Sequence, residues 1–205
     1  MQYADPEQTQ GKKRILEELF LSEIRTKVGS ASSFQLNDST SLLDELCEVG
    51  QAFRDNTNGV PHLSEAGRKA ITVVLAGGSF DIIHPGHVET LEKAKSLGEL
   101  LVVSVSRNST YLQNKKRNPL HDEELRRRMV ESIKYVDVAI LGSETDIFDT
   151  VERVKPDIIA LGYDQSHNEE GFKKELARRG LKAQVVRLDS SVPEIKTSRI
   201  AKDYY

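Results

Sequence analysis

His84 and His87 stand three residues apart where an apolar run gives way to a helical pattern. The stretch that holds them reads Gly77-Gly78-Ser79-Phe80-Asp81-Ile82-Ile83-His84-Pro85-Gly86-His87. Side chains at i and i+3 share a helix face, so two imidazoles at this spacing can address one group. The glycines upstream let backbone amides approach an anion with no Cβ in the way. A helix start adds N–H groups without intrahelical partners and the positive end of the macrodipole. Glycine turn, helix start and paired imidazoles together describe a phosphate site. The chemistry they suit is the stabilisation of charge on phosphoryl oxygens.

Three further groups are of the right type to join them. Lys115-Lys116-Arg117 is a basic run, and Arg126-Arg127-Arg128 is a second one at the start of a helical pattern that ends near Lys134. Thr197 and Ser198 open the last helical pattern, where hydroxyls and amides can face an anion. A charge run alone is a solvated surface, so only a shared location would make these groups one site.

That location depends on the elements. Strands fit residues 71–76, 100–105, 137–141, 157–161 and 183–187, and helices fit 86–97, 122–134, 146–154, 168–179 and 197–203. Ile158-Ile159-Ala160-Leu161 is a continuous apolar run, as expected of a strand covered on both faces. Strands alternating with helices predict an α/β fold, a doubly wound parallel sheet. Ligands of such sheets sit at the carboxyl ends of the strands. The glycine turn, Ser106-Arg107-Asn108-Ser109 and Gly162-Tyr163-Asp164-Gln165 all fall at predicted strand ends.

Residues 71–205 therefore form the main domain, preceded by a flexible tail at 1–10 and a small, mainly helical domain at 11–70. Within the latter, helices fit 12–28 and 39–49, Gly50 suits a C-cap, and Asn56-Thr57-Asn58-Gly59 marks a turn. Ser64 suits the N-cap of a short helix over 63–70.

The chain has 205 residues, 38% apolar and 30% charged, with a formal net charge of −3. That balance argues against a generally basic nucleic-acid binder. Its apolar runs are too short to span a bilayer, and the polar start lacks the apolar core of a signal peptide. Cys47 is the single cysteine, so neither an intrachain disulfide nor a cysteine zinc cluster is expected. A cytoplasmic enzyme is the simplest expectation. The first turn lacks G-x-G-x-x-G, which argues against a dinucleotide-dependent oxidoreductase.

Gly77-Gly78-Ser79-Phe80-Asp81 followed by His84-Pro85-Gly86-His87 resembles the signature of the nucleotidyltransferase superfamily with the His-x-Gly-His motif. Members include cytidylyltransferases, phosphopantetheine adenylyltransferase and archaeal FAD synthetases. The likeness covers about residues 71–200 and is greatest to the archaeal FAD synthetases and the glycerol-3-phosphate cytidylyltransferases. It implies a Rossmann-like sheet and transfer of a nucleoside monophosphate from ATP or CTP to a phosphorylated small molecule, with release of pyrophosphate. FMN is the acceptor implied by the first likeness, a phosphorylated alcohol or sugar by the second. Mg2+ is implied, bound mainly through the phosphates, as is a homodimer.

By the same resemblance His84, His87, Lys115 and Arg126 are the catalytic residues. Gly77, Gly78, Ser79, Phe80, Arg117, Gly162, Asp164, Thr197 and Ser198 are expected to bind the nucleotide. Asp81, Asn108, Lys134 and Gln165 are expected on the acceptor side. Residues 11–70 resemble a winged helix-turn-helix, but the helix over 39–49 carries Asp44, Glu45 and Glu48 and no Lys or Arg. Phosphate contacts dominate DNA affinity, so that helix is a poor reader. An architectural, dimerising or vestigial module is expected, with a DNA-binding, nucleotide-sensing regulator as the alternative.

Overall fold

The computed structural model of the protein describes residues 5–29, 40–165, 168–195, 197 and 200. The chain divides into two compact units, Met1–Ile71 and Thr72–Tyr205.

In the first unit α1 (Pro6–Lys27) begins earlier than the apolar periodicity suggests. Asp5 accepts from the Glu7 amide as N-cap, and Pro6 sits where a missing N–H costs nothing, so residues 6–10 are helical rather than a tail. Ile15, Leu16, Leu19, Phe20 and Ile24 form the buried stripe of α1, and Leu43 and Leu46 that of α2 (Thr40–Glu48). Gly50 follows with φ +72°, as a helix end of this kind requires. The antiparallel hairpin β1 (Ala52–Arg54) and β2 (Pro61–Leu63) comes next, turning through the Asn-Gly segment. Ser64 then caps α3 (Glu65–Arg68) by accepting from the Gly67 amide.

The second unit alternates strand and helix: β3 (Val73–Gly78), α4 (Pro85–Lys95), β4 (Leu100–Val105), α5 (Asn108–Lys115), α6 (Glu123–Glu131), β5 (Val138–Leu141), α7 (Ile147–Val154), β6 (Ile158–Leu161), α8 (Glu169–Arg178) and β7 (Gln184–Arg187). The five strands are parallel in the order β5-β4-β3-β6-β7. The chain winds outward from β3 through β4 to β5, then returns to the other side of β3. The switch point of this doubly wound sheet thus lies between β3 and β6, where such folds open a crevice at the strand ends.

Val74, Ala76, Leu101, Val103, Ala139 and Ala160 pack with Leu91 of α4 and Val130 of α6 into one core. Aspartates anchor the entry ends of the strands: Asp157 accepts from the Val73 amide at 2.8 Å, and Asp137 from the Leu101 amide and Lys95 Nζ, each at 2.6 Å. On the edge strand β5, Arg127 and Arg153 donate to the carbonyls of Ala139 and Leu141 at 3.2 and 2.8 Å. Acceptors that a foreign strand would use are occupied, which protects the edge.

The expected strands appear within about two residues of their expected bounds, and α5 is a helix beyond those the spacing predicts. The predicted helix over 197–203 lies outside the described residues apart from Thr197 and Ile200, and Ser198 falls outside with it.

Candidate active site

The carboxyl end of β3 runs into the glycine turn, and Pro85 starts α4 directly behind His84, its N-cap. His84 has extended backbone angles and its ring makes no capping bond, so the imidazole is left for another use. His84 and His87 stack with ring centroids 3.9 Å apart and planes 23° apart. Gly86 permits this, since a Cβ there would lie 3.2 Å from two atoms of the His84 ring. The buried Nδ1 atoms of both rings have no hydrogen-bond partner among the described residues.

Burial pulls the His84 pKa below the ordinary imidazole value, and the Asp164 carboxylate partly restores it. Burial, then the neighbouring His84, pushes His87 down to about 4, against the raising effect of the Ile82 carbonyl. Both rings are therefore neutral at pH 7 in the ligand-free protein. An anion between them and the helix start would favour their protonated forms.

Phe80 takes the left-handed φ of 51° and is 4% exposed, its ring in the core and 5.1 Å from that of His87. It supports the turn from below rather than facing a nucleotide. Gly78 makes room for it, because a Cβ there would meet two Phe80 ring atoms at 2.8 Å. At Gly77 the nearest atom would be the Ser104 carbonyl oxygen at 3.5 Å, an ordinary contact, so Gly77 answers no steric demand from the fold.

Asp81 is 1% exposed. Its Oδ2 accepts from the Tyr111 hydroxyl at 2.7 Å and Arg117 Nη2 at 3.1 Å, and its Oδ1 from the amides of Leu120 at 2.6 Å and His121 at 3.5 Å. Burial alone would raise its pKa; the donors from Tyr111, Leu120, His121 and Arg117 together bring it below the ordinary value. The carboxylate thus ties the glycine turn to the segment after α5, and does not face an acceptor molecule. Arg117 also lies over the Tyr111 ring, 5.2 Å from its centroid. Lys115 ends α5 and is exposed.

Arg126 is fully buried. Its guanidinium donates to the carbonyls of His121 (3.0 Å), Ser79 (2.6 Å) and Ser106 (2.9 Å) and to Asn108 Oδ1 (2.8 Å). It brackets the ends of β3 and β4 from inside, where the resemblance implied a cation on the phosphates. Asn108 is held in turn, its amide on Glu123 and its Nδ2 on Asp122. Gln165 is a staple as well: Nε2 donates to the Gly77 carbonyl, and Oε1 accepts from the Gly162 amide. That bond joins the ends of β6 and β3 across the switch point. Thr197 Oγ1 donates to the Ile82 carbonyl at 3.3 Å, bringing the last described segment against the histidine loop.

Lys134 stands apart. It follows α6 and precedes β5, at the entry edge of the parallel sheet, and its ammonium lies 4.7 Å from the Tyr135 ring centroid. The strand ends that carry the histidines are at the opposite edge, so Lys134 is not part of this site.

Sequence reasoning passes over Tyr111 and includes Ser106 only as part of a strand-end segment, with no role of its own. Tyr111 is the buried residue of a short, mostly polar helix, too faint a signal for periodicity to show. Ser106 Oγ is buried at the end of β4 without a partner among the described residues. No group of three or more His, Cys, Asp or Glu side chains able to hold a metal occurs among the described residues. With Asp81 already engaged by four donors, these residues do not build a metal cage.

What remains is a neutral imidazole pair at a helix start, with Asp164 on the β6 side and Arg117 on the α5 side. Residues 75–203 match the cytidylyltransferase-like family. An FAD synthase from Ferroglobus placidus is 56% identical over 115 residues, 56% of this chain and 74% of that protein. Another from Methanosarcina mazei is 49% identical over 135 residues, 65% of this chain and 88% of that one. The crystal structure of a lipopolysaccharide core biosynthesis protein from Thermoplasma volcanium GSS1 is 42% identical, with a TM-score of 0.57, over 58% of this chain and 98% of its own. Site geometry and sequence match thus agree, and the chain belongs to the cytidylyltransferase-like family of nucleotidyltransferases.

Proposed function

We propose that this nucleotidyltransferase adenylylates FMN, converting ATP and FMN into FAD and pyrophosphate. The substrate assignment is carried by the match to FAD synthases, 56% and 49% identical over most of their own lengths. The site's chemistry supports it. An oxygen of the FMN phosphate attacks the α-phosphorus of ATP; the new P–O bond forms as the bond to the pyrophosphate oxygen breaks. The nucleophile is already an anion, so no base is required. His84 and His87 hold the α- and β-phosphates and stabilise the charge that develops there, while Lys115 and Arg117 take the leaving pyrophosphate. Asp164, Gly162 and the Thr197 segment flank the nucleotide. Arg126, Asp81, Asn108 and Gln165 position these groups from behind.

A divalent cation such as Mg2+ would be held through the nucleotide phosphates rather than by a cage of these side chains, and would offset the phosphate charge. We also assign a homodimer in the cytoplasm. Among the described residues no helix is long and apolar enough to cross a membrane. The helical unit before residue 72 is assigned an architectural role. Asp44 pairs with Arg54 and Glu45 with Lys12, and α2 offers no cation of its own to a DNA phosphate. Salt-dependent DNA binding by the whole chain would overturn that role.

The deciding assay is pyrophosphate release with ATP or CTP against FMN and glycerol phosphate. ATP with FMN is expected to turn over, and His84→Ala and His87→Ala to slow the chemical step about 100-fold or more with the fold intact. Turnover confined to CTP and an alcohol phosphate would overturn the FMN assignment.

A further inference from the structure

Two guanidiniums meet the signature turn, and they differ in what they can do next. Arg126 is fully buried and makes four hydrogen bonds to fixed acceptors, so drawing it toward a ligand would strand several carbonyls at once. The Arg117 side chain is 40% exposed and meets the buried Asp81 carboxylate through one bond of 3.1 Å. It follows Lys116, which leaves α5 in the left-handed conformation with φ 57°. If Arg117 departs, Asp81 keeps the Tyr111 hydroxyl and the Leu120 and His121 amides, so its charge stays satisfied. Asp81 lies three residues before His84, and three residues span at most about 10 Å, within the reach of an arginine.

We propose that Asp81 is a positioning residue that parks Arg117 beside the histidine pair, and that Arg117 exchanges this carboxylate for a nucleotide phosphate oxygen on binding. The exchange rests on the triphosphate reading of the site. It replaces one charge-assisted bond by another, so the arginine arrives already close to its target. Parking limits the conformational freedom that the arginine loses on binding, while the bond to Asp81 that must break offsets part of the phosphate contact.

The test is the affinity of Mg-ATP for the full chain, measured by calorimetry in wild type, Asp81→Asn, Arg117→Met and the double variant. Arg117→Met is expected to weaken binding about tenfold or more, as loss of a charged hydrogen bond does, and Asp81→Asn to tighten it about threefold or more, since the carboxylate that Arg117 must leave is no longer charged. The double variant should bind like Arg117→Met alone, because the effect of Asp81 is exerted through Arg117. Multiplying effects would overturn the proposal, whereas a wild type that binds no nucleotide would overturn the triphosphate reading itself.

A second measurement needs no variant at Asp81, should that one fail to fold. The guanidinium 15Nε resonance of Arg117, identified by its absence in Arg117→Met, is expected to shift and saturate as Mg-ATP is added. A resonance that stays put at saturating nucleotide sinks the exchange while leaving the enzyme assignment standing.

Discussion

The histidine pair, neutral in the free protein, is linked through the proton to the polyanion proposed to sit over it. Unfolded His87 titrates near 6.5 and folded His87 near 4. Between those values the unfolded chain binds more protons, so stability falls as pH falls from 6.5 towards 4. At 1.36 kcal/mol per unit the 2.5-unit gap amounts to about 3 kcal/mol, and His84 adds to it in the same direction. Urea unfolding of the ligand-free protein across this window is expected to show that slope, and His87→Gln to remove most of it. A wild type equally stable at both pH values would show that the pair is not buried neutral. Ser106 offers the opposite sign. Its buried hydroxyl has no partner among the described residues, so Ser106→Ala removes a desolvated group and no hydrogen bond. The thermal midpoint should hold or rise; a fall of several degrees would mean that an ordered water satisfies this hydroxyl.

At the scale of elements, the glycine turn separates a glycine required by packing from one that is not. Gly78→Ala drives a Cβ into the Phe80 ring, which cannot swing aside because the residue is buried and held at φ 51°. Overpacking of this kind costs about 1–3 kcal/mol. Gly77→Ala meets only an ordinary contact and is expected to leave the unfolding midpoint nearly unchanged. Equal destabilisation by both would contradict the geometry. The same turn shows what a sequence can disclose. Strands, helices and the i, i+3 histidines are local patterns, and they were legible because periodicity and spacing are carried within a dozen residues. The role of Arg126 was not, because its acceptors include carbonyls 47 and 20 residues away, and no spacing rule reaches that far. Phe80 and Asp81 sit inside the signature yet face inward, since a left-handed residue reverses which side chains the turn presents. Lys134 was misplaced for a simpler reason: α6 ends at Glu131, so the chain has already turned back to the far edge of the sheet.

For the whole molecule, the question is whether the helical unit contributes to catalysis. The family match begins at residue 75, just inside the second unit, which starts at Thr72. The Methanosarcina mazei enzyme is covered to 88% by 135 residues of this chain, and the Thermoplasma volcanium protein to 98% by 58% of it. Neither has room for a further unit the size of Met1–Ile71. Among the described residues, the groups placed around the histidine pair come from β3 onward, and their supporting bonds begin and end within Thr72–Tyr205. Residues 72–205 expressed alone are therefore expected to fold and to keep kcat/KM within about threefold, a difference under 1 kcal/mol in transition-state stabilisation. The readout is steady-state pyrophosphate release beside a thermal melt. Full folding with a hundredfold loss of activity would mean that the first unit completes the site, directly or by holding two copies together. Shape and activity both preserved would leave it the architectural role proposed above.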